Sequence, residues 1–351
     1  MKKLIAMLLV LMMVLAAAAC SDTSKQEIAE AAQQVGEAAS SVAGDALQAA
    51  EDAMKIDNLA RLIMVTGGDS GTYYAFGGVI ASVLTEKVEN LEITATTSGA
   101  SAANCRSLNT GEADLAILQN DVLDYAYNGT EIMKDDGKME GLRAIATMYT
   151  ETIQLVALKS SNINSVPDLK GKKVCVGAQG SGSEANAIQI LSAYGLTYDD
   201  INVQYLSFSE ASNAMQQGTV DAAFQTSGLP NTAVLELSKM KDIVVVPIEG
   251  AERDALIEQY PFYVKSVIPA GTYTDAEAES VAILATLACT KDLDNKIVYQ
   301  ITKNLFEQKD ALAMGHAKGK DLDVNKGRDG VSIPFHEGAL LYYAEAGLTG
   351  K

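Results

Sequence analysis

Apolar and polar positions alternate in blocks along this chain, and the blocks read as strands and helices joined by short loops. Residues 62–65 form an uninterrupted apolar run, the pattern of a strand buried on both faces of a parallel sheet. Thr66-Gly67-Gly68-Asp69-Ser70-Gly71-Thr72 then breaks the run with three glycines. After the break Tyr73, Phe76, Ile80, Val83 and Leu84 recur at helical spacing. Residues 91–96 show strand alternation and lead through Thr97-Ser98-Gly99-Ala100-Ser101 into a helix carrying Asn104 and Leu108. That helix stops at Gly111. Residues 114–118 are a buried strand that delivers Gln119, Asn120 and Asp121 at its carboxyl end.

The pattern returns further along. A strand ends at Leu158, and residues 173–177 form another. Ala178-Gln179-Gly180-Ser181-Gly182-Ser183-Glu184 then opens a helix with Ala187, Ile190 and Leu191 on its face. A helix over 209–217 ends at Gly218, and a strand over 221–225 ends in Gln225. Gly111-x-x-Asp114-x-Ala116 with Gln119 parallels Gly218-x-x-Asp221-x-Ala223 with Gln225, so the halves read as two copies of one design. A helix through Leu237 and a strand at 243–246 follow. Helical periodicity is then read over 275–315, through Val281, Leu284, Leu287, Ile297, Ile301 and Leu305. This tail is expected to pack back on the first half. The chain would thus cross between halves near 149–155 and again between 247 and 273, making a hinge with a cleft.

Alternating strands and helices imply an α/β fold whose ligands bind outside the carboxyl ends of the strands. At each strand–loop–helix junction, backbone N–H groups lack helical partners and the dipole favours negative charge. The glycine loops therefore read either as grips for the anionic part of a small molecule or as plain strand–helix turns. Neither loop has the lysine of a P-loop or the spacing of the dinucleotide fingerprint.

At 351 residues the chain is long for one core, and two domains are expected. A net charge of −18 argues against nucleic-acid binding and gives no long-range steering of an anion, so any anion site must act locally. Lys2 and Lys3 precede an apolar run over residues 4–19 that ends in Ala17-Ala18-Ala19-Cys20, similar to a bacterial lipoprotein signal. Cys20 would then be the lipid-bearing first residue, anchoring the protein outside the cytoplasm; plain secretory cleavage is the alternative. Residues 20–58, rich in Ala, Glu, Gln and Ser, read as a tether. The expected partition is 1–19 signal, 20–58 tether, 59–150 plus about 260–351 as one lobe, and 151 to about 259 as the other.

Catalysis finds little support. His316 and His336 are the only histidines, and His336 is expected to make a structural hydrogen bond. Cys105, Cys175 and Cys289 lack zinc spacing and read as buried thiols. Ser181 and Ser183 sit in no nucleophile elbow. Binding without an enzyme activity, cofactor or metal is the expectation. The candidate ligand residues are Gly67, Gly68, Ser70, Gly71, Thr72, Tyr73, Tyr74, Ser98, Ser101, Gln119, Asp121, Gln179, Ser181, Gly182, Ser183 and Gln225. None is cationic, so a carboxylate would be held by neutral donors and helix ends. Asp121 could instead cap its helix, and Glu184 reads as a dipole partner.

An ordered series of motifs resembles the TAXI family, the extracytoplasmic solute receptors of tripartite ATP-independent periplasmic (TRAP) transporters. The series is Thr66-Gly67-Gly68-x-x-Gly71-Thr72-Tyr73-Tyr74, Thr97-Ser98-Gly99 with Asn104, and Gly111-Glu112-Ala113-Asp114-Leu115-Ala116-Ile117 with Gln119 and Asp121. It continues with Tyr149-x-Glu151, Asp168-Leu169-Lys170-Gly171-Lys172-x-Val174, Gly180-Ser181-Gly182-Ser183-Glu184 and Ile333-Pro334-Phe335-His336-x-Gly338-Ala339. The resemblance implies a two-lobed periplasmic-binding-protein fold (type II-like), with two parallel or mixed sheets, a hinge and an interlobe cleft. It also implies a monomer that takes glutamate or a related acidic small molecule and passes it to a sodium-driven permease. Asp69, Ser70 and Ala75 depart from the family's pattern. A receptor of the same fold serving an ATP-driven (ABC) importer or a sensor is the alternative.

Overall fold

The computed structural model describes residues 52–349. The chain divides into Met1–Lys55 and Ile56–Lys351, and the fold below is that of the second unit. The signal segment, Cys20 and all but the last residues of the tether lie outside the described residues.

Two parallel flanks are built from the units read in the sequence. The first contains β1 (Ala60–Val65), α1 (Thr72–Lys87), β2 (Leu91–Thr96), α2 (Ser101–Thr110), β3 (Leu115–Gln119) and α3 (Asn120–Asn128). Here β1 lies between β2 and β3, parallel to both. The second contains β5 (Lys173–Cys175), α4 (Gly182–Ala193), β6 (Asn202–Gln204), α5 (Phe208–Gln216) and β7 (Ala222–Ser227), with β5 between β6 and β7. The helix stop read at Gly111 is a left-handed C-cap, φ +75°.

Two long strands, β4 (Leu142–Leu158) and β10 (Ala278–Thr290), run antiparallel to each other between the flanks. β10 pairs with β3, and β4 pairs with β7. The two sheets of the expected fold are thereby continuous, in the order β2-β1-β3-β10-β4-β7-β5-β6. α6 (Thr232–Met240) and α7 (Gly250–Gln259) flank β8 (Ile243–Val246), which pairs with β4. β9 (Val264–Ile268) pairs with β10. The chain closes with α8 (Asn295–Glu307), α9 (Lys309–Gly315) and α10 (Glu337–Glu345).

The helical periodicity read over 275–290 is overturned. Val281, Leu284 and Leu287 belong to β10, whose Val281-Ala282-Ile283 run is fully buried. A strand buried on both faces carries apolar residues at every position, so it also satisfies a three-residue spacing. Helix begins only at Asn295. The strand expected to end at Leu158 does so, after seventeen residues.

The paired motifs have one structural role. Asp114 Oδ2 accepts from Ile63 N at the start of the β1–β3 pairing (2.8 Å), and Asp221 Oδ2 accepts from Lys173 N beside β5 (2.8 Å). Each carboxylate pins the strand that feeds a glycine loop. Separate cores support the two flanks. Val65, Cys105, Leu108, Leu118 and Leu142 pack in one, and Leu155, Val174, Ile190 and Phe224 in the other. Burying each large apolar side chain contributes roughly 1.5–3 kcal/mol. Cys105, Cys175 and Cys289 are buried free thiols, and His336 Nδ1 caps α10 by accepting from Gly338 N.

Candidate ligand-binding site

The carboxyl ends of β1, β2, β3, β5, β6 and β7 open on a common cleft. The first flank lines it with Gly67, Gly68, Gly71, Thr72, Tyr73, residues 98–101 and Gln119. The second supplies Ala178, Ser181, Gly182, Ser183, Ser207, Phe208, Thr226 and Ser227. Glu151 enters from β4.

Most hydroxyls in the cleft hold the loops in shape. Thr66 Oγ1 donates to the Thr96 carbonyl (2.6 Å), and Ser98 N donates to Gly67 O (3.1 Å). Asn104 Nδ2 donates to Thr66 O and Ile117 O, tying the ends of β1 and β3 together. Ser101 Oγ accepts from Gln119 N, and Ser183 Oγ accepts from Thr226 N. Ala100 has φ +66° and ψ −152°, a conformation that costs a residue with a Cβ on the order of 1–3 kcal/mol. Gly177, at φ +101°, could not carry a Cβ: it would fall 2.7 Å from Ser181 Oγ. The strain and the close approach both lie where the chain turns toward the cleft.

Four helices, α1, α2, α4 and α5, begin at or beside residues that line the cleft. Their first-turn amides cannot bond within the helix, and the dipole adds partial positive charge there. Lys, Arg and His are absent from the lining. The one acid is Glu151, which is 1% exposed. Its Oε2 accepts from Tyr73 Oη at 2.5 Å. Burial pushes the Glu151 carboxyl up to about 8, against the lowering effect of that hydrogen bond. Burial likewise pushes the Tyr73 hydroxyl well above its usual range, with the Glu151 charge adding to it.

Beside the cleft the flanks are joined by a buried polar seam. Asn186 of α4 accepts from Gln119 Nε2 (2.8 Å) and Thr226 Oγ1 (2.8 Å), and donates to Asp121 Oδ2 (3.0 Å) and Tyr263 Oη (2.8 Å). Gln189 donates to Tyr125 and accepts from Tyr263. Ala102 N donates to Gly180 O across the two loops (3.1 Å). Gly182 packs so closely on Gln119 that a Cβ there would overlap its amide.

The sequence matches the NMT1-like family over residues 64–347. This chain belongs to that family. Among solved structures, the binding protein component of an ABC phosphonate transporter from Pseudomonas aeruginosa superposes with a TM-score of 0.51. It is 11% identical, over 74% of this chain and 79% of that one. The periplasmic aliphatic sulphonate binding protein SsuA from Escherichia coli is 17% identical over 81% and 82%, with a TM-score of 0.46. The likeness to the first shows the fold: the NMT1-like chain has the α/β periplasmic-binding-protein architecture.

Of the residues singled out in the sequence, the NMT1-like fold brings Gly67, Gly68, Gly71, Thr72, Tyr73, Ser98, Ser101, Gln119, Ser181, Gly182 and Ser183 into one cleft. Five lie elsewhere. Ser70 has its hydroxyl buried without a partner among the described residues. Tyr74, a step of about 100° round α1 from Tyr73, is 39% exposed. Asp121 is fully buried in the seam, where desolvation lifts it to about 7; it is not the N-cap of α3, a position held by Gln119. Gln179 sits in a separate depression with Arg106 and Glu184. Gln225 is buried within β7, short of Thr226 and Ser227, the residues at the end of that strand that line the cleft. Glu184 accepts from Gly180 N at the start of α4, as a helix-end carboxylate should.

Sequence reading left out Ser207, Phe208, Thr226, Ser227, Asn186 and the lining role of Glu151. Ser207 had a legible signal: Ser207-x-x-Glu210 is a capping box, and both of its hydrogen bonds are present.

Proposed function

We propose that this chain is an extracytoplasmic solute receptor whose two lobes close on a small organic anion, such as glutamate or a related acidic amino acid or dicarboxylate. The observation that carries this reading is the convergence of four helix starts from both flanks on one cleft without a cationic side chain. The lobes are taken as 59–150 plus about 260–351, and 151 to about 259, with β4 and β10 as the hinge. The ligand residues are the cleft-lining members of the sequence-derived set, together with Glu151. The receptor binds without turnover, acts as a monomer and is tethered to the membrane through Cys20.

The partner is a membrane transporter. The likeness to an ABC binding component supports delivery to an ATP-driven importer, and we rank that reading ahead of the sodium-driven TRAP permease implied by the TAXI-like motif series. The adjacent gene tests the choice, by encoding an ATPase or a large multi-span permease. Mass spectrometry of the membrane-extracted protein tests the anchor; an unmodified Cys20 would rule it out. Ligand class is tested by thermal shift on protein stripped of bound solute in denaturant and refolded. A ligand at 100 times its Kd adds about 2.7 kcal/mol of stability. No shift with any acidic amino acid or dicarboxylate would reject the anion reading.

A further inference from the structure

Glu151 is out of place in a cleft made for an anion. It is the one acid in the lining, it is almost wholly buried, and no basic residue shares the lining with it. The groups facing it are Tyr73 from α1, Tyr149 from its own strand, Asp121 from α3 and Lys318 from the segment after α9. Lys318 is engaged elsewhere: its ammonium pairs with Asp321 at 3.1 Å and lies over the Tyr149 ring at 5.6 Å. An ionised carboxylate would therefore face a bound anion across a desolvated gap. A neutral carboxyl removes that repulsion and offers an O–H donor. Tyr73 already donates to Oε2, which leaves Oε1 to carry the proton.

We propose that Glu151 receives the solute as the neutral acid, donating a hydrogen bond to one of its anionic oxygens, so that the receptor takes up a proton from solvent on binding whenever Glu151 starts ionised. This rests on the anion reading above and narrows it. The end of the solute at Glu151 is an oxygen acceptor, not an ammonium. Burial, the largest influence, pushes Glu151 up to about 8 against the Tyr73 hydrogen bond and the Lys318 charge, and an adjacent anion raises it further.

The test is titration calorimetry of the full chain between pH 6.5 and 9, with glutarate and L-glutamate as probes, in two buffers of different ionisation enthalpy. Glutarate has the same carbon chain and carboxylates as L-glutamate but no ammonium. The affinity is expected to be level below about pH 8 and about tenfold weaker at pH 9, while proton uptake rises toward one per ligand. Glu151→Gln keeps a donor and should lose the pH slope. Glu151→Ala loses the donor and should bind about tenfold more weakly at pH 6.5. Binding that is flat to pH 9 without proton uptake, or that strengthens as Glu151 ionises, overturns the assignment and leaves the anion reading standing. If neither probe binds at pH 6.5, the assignment falls, and the anion reading falls with it only if the thermal-shift series also finds no acidic ligand. The wild-type measurements decide the matter even where a variant does not fold.

Discussion

The two flanks meet the cleft with different kinds of helix end. On the first, α1 and α2 follow Gly71 and Ala100, neither of which supplies a side-chain cap. On the second, α4 and α5 follow Ser181 and Ser207, whose hydroxyls accept from Glu184 N and Glu210 N. A capped end has already committed a first-turn donor to its own chain. An uncapped end leaves its donors to water, to another segment or to a ligand, and in α2 Ala102 N already donates to Gly180 O. The comparison separates the uncapped start of α1 on the first flank from a second flank whose two helix ends are capped in advance. The Asn186 seam then joins the two flanks, and two of its groups, Gln119 and Thr226, also line the cleft.

Breaking the seam should have the largest effect. Asn186→Leu leaves Asp121, Tyr263 and Gln119 buried without their shared partner. It is expected to destabilise the fold by about 3–5 kcal/mol in urea or guanidinium unfolding. A loss under about 1 kcal/mol would show that the flanks hold together without it.

The pH dependence of stability comes next. Asp121 and Glu151 titrate at about 7 and about 8 in the folded chain, against 3.8 and 4.5 ordinarily. Between those limits the folded state keeps protons that the unfolded chain has released. The stability these two groups contribute is therefore fully present below the ordinary carboxyl values and is lost as pH rises through about 7 and 8. Melting of the ligand-free protein should occur at a lower temperature at pH 8.5 than at pH 5, by roughly 2–4 °C for each kcal/mol lost. Asp121→Asn, which keeps an acceptor for Asn186, should flatten part of that slope.

Gly182→Ala sharpens the comparison at the point where the flanks touch. The new Cβ would overlap the Gln119 amide, so Gln119 must leave the cleft wall. A loss of about tenfold in ligand affinity, some 1.4 kcal/mol, is expected by calorimetry. The smallest effect is Ser181→Ala. Removing this cap should cost about 1 kcal/mol of unfolding free energy. No change would mean that the second flank is not stiffened by its hydroxyl.

Much of this was legible in the chain because it is local. Glycine loops between apolar runs and helical spacings, and the paired Gly-x-x-Asp motifs, each depend on a few neighbouring residues. Asp114 and Asp221 were recognised as equivalent before their shared role in pinning a strand could be seen. Reading failed where neighbours in space are distant in sequence. β10 looked helical because a strand covered on both faces loses its period of two, and only pairing with β3 and β4 identifies it. Gln119 and Gln225 end matching motifs, yet only Gln119 reaches the cleft, because β3 ends there while β7 runs on to Thr226 and Ser227.

By itself, then, the sequence determined the succession of strand, loop and helix, and with it the sheet edge on which donors for an anion would gather. Backbone propensity and apolar spacing are enough for that. The tertiary structure alone decided that Glu151, seventy-eight residues from Tyr73, would accept its hydrogen bond and line the cleft. A carboxyl's charge state depends on what desolvates it and what hydrogen-bonds it, and here those groups come from several distant parts of the chain.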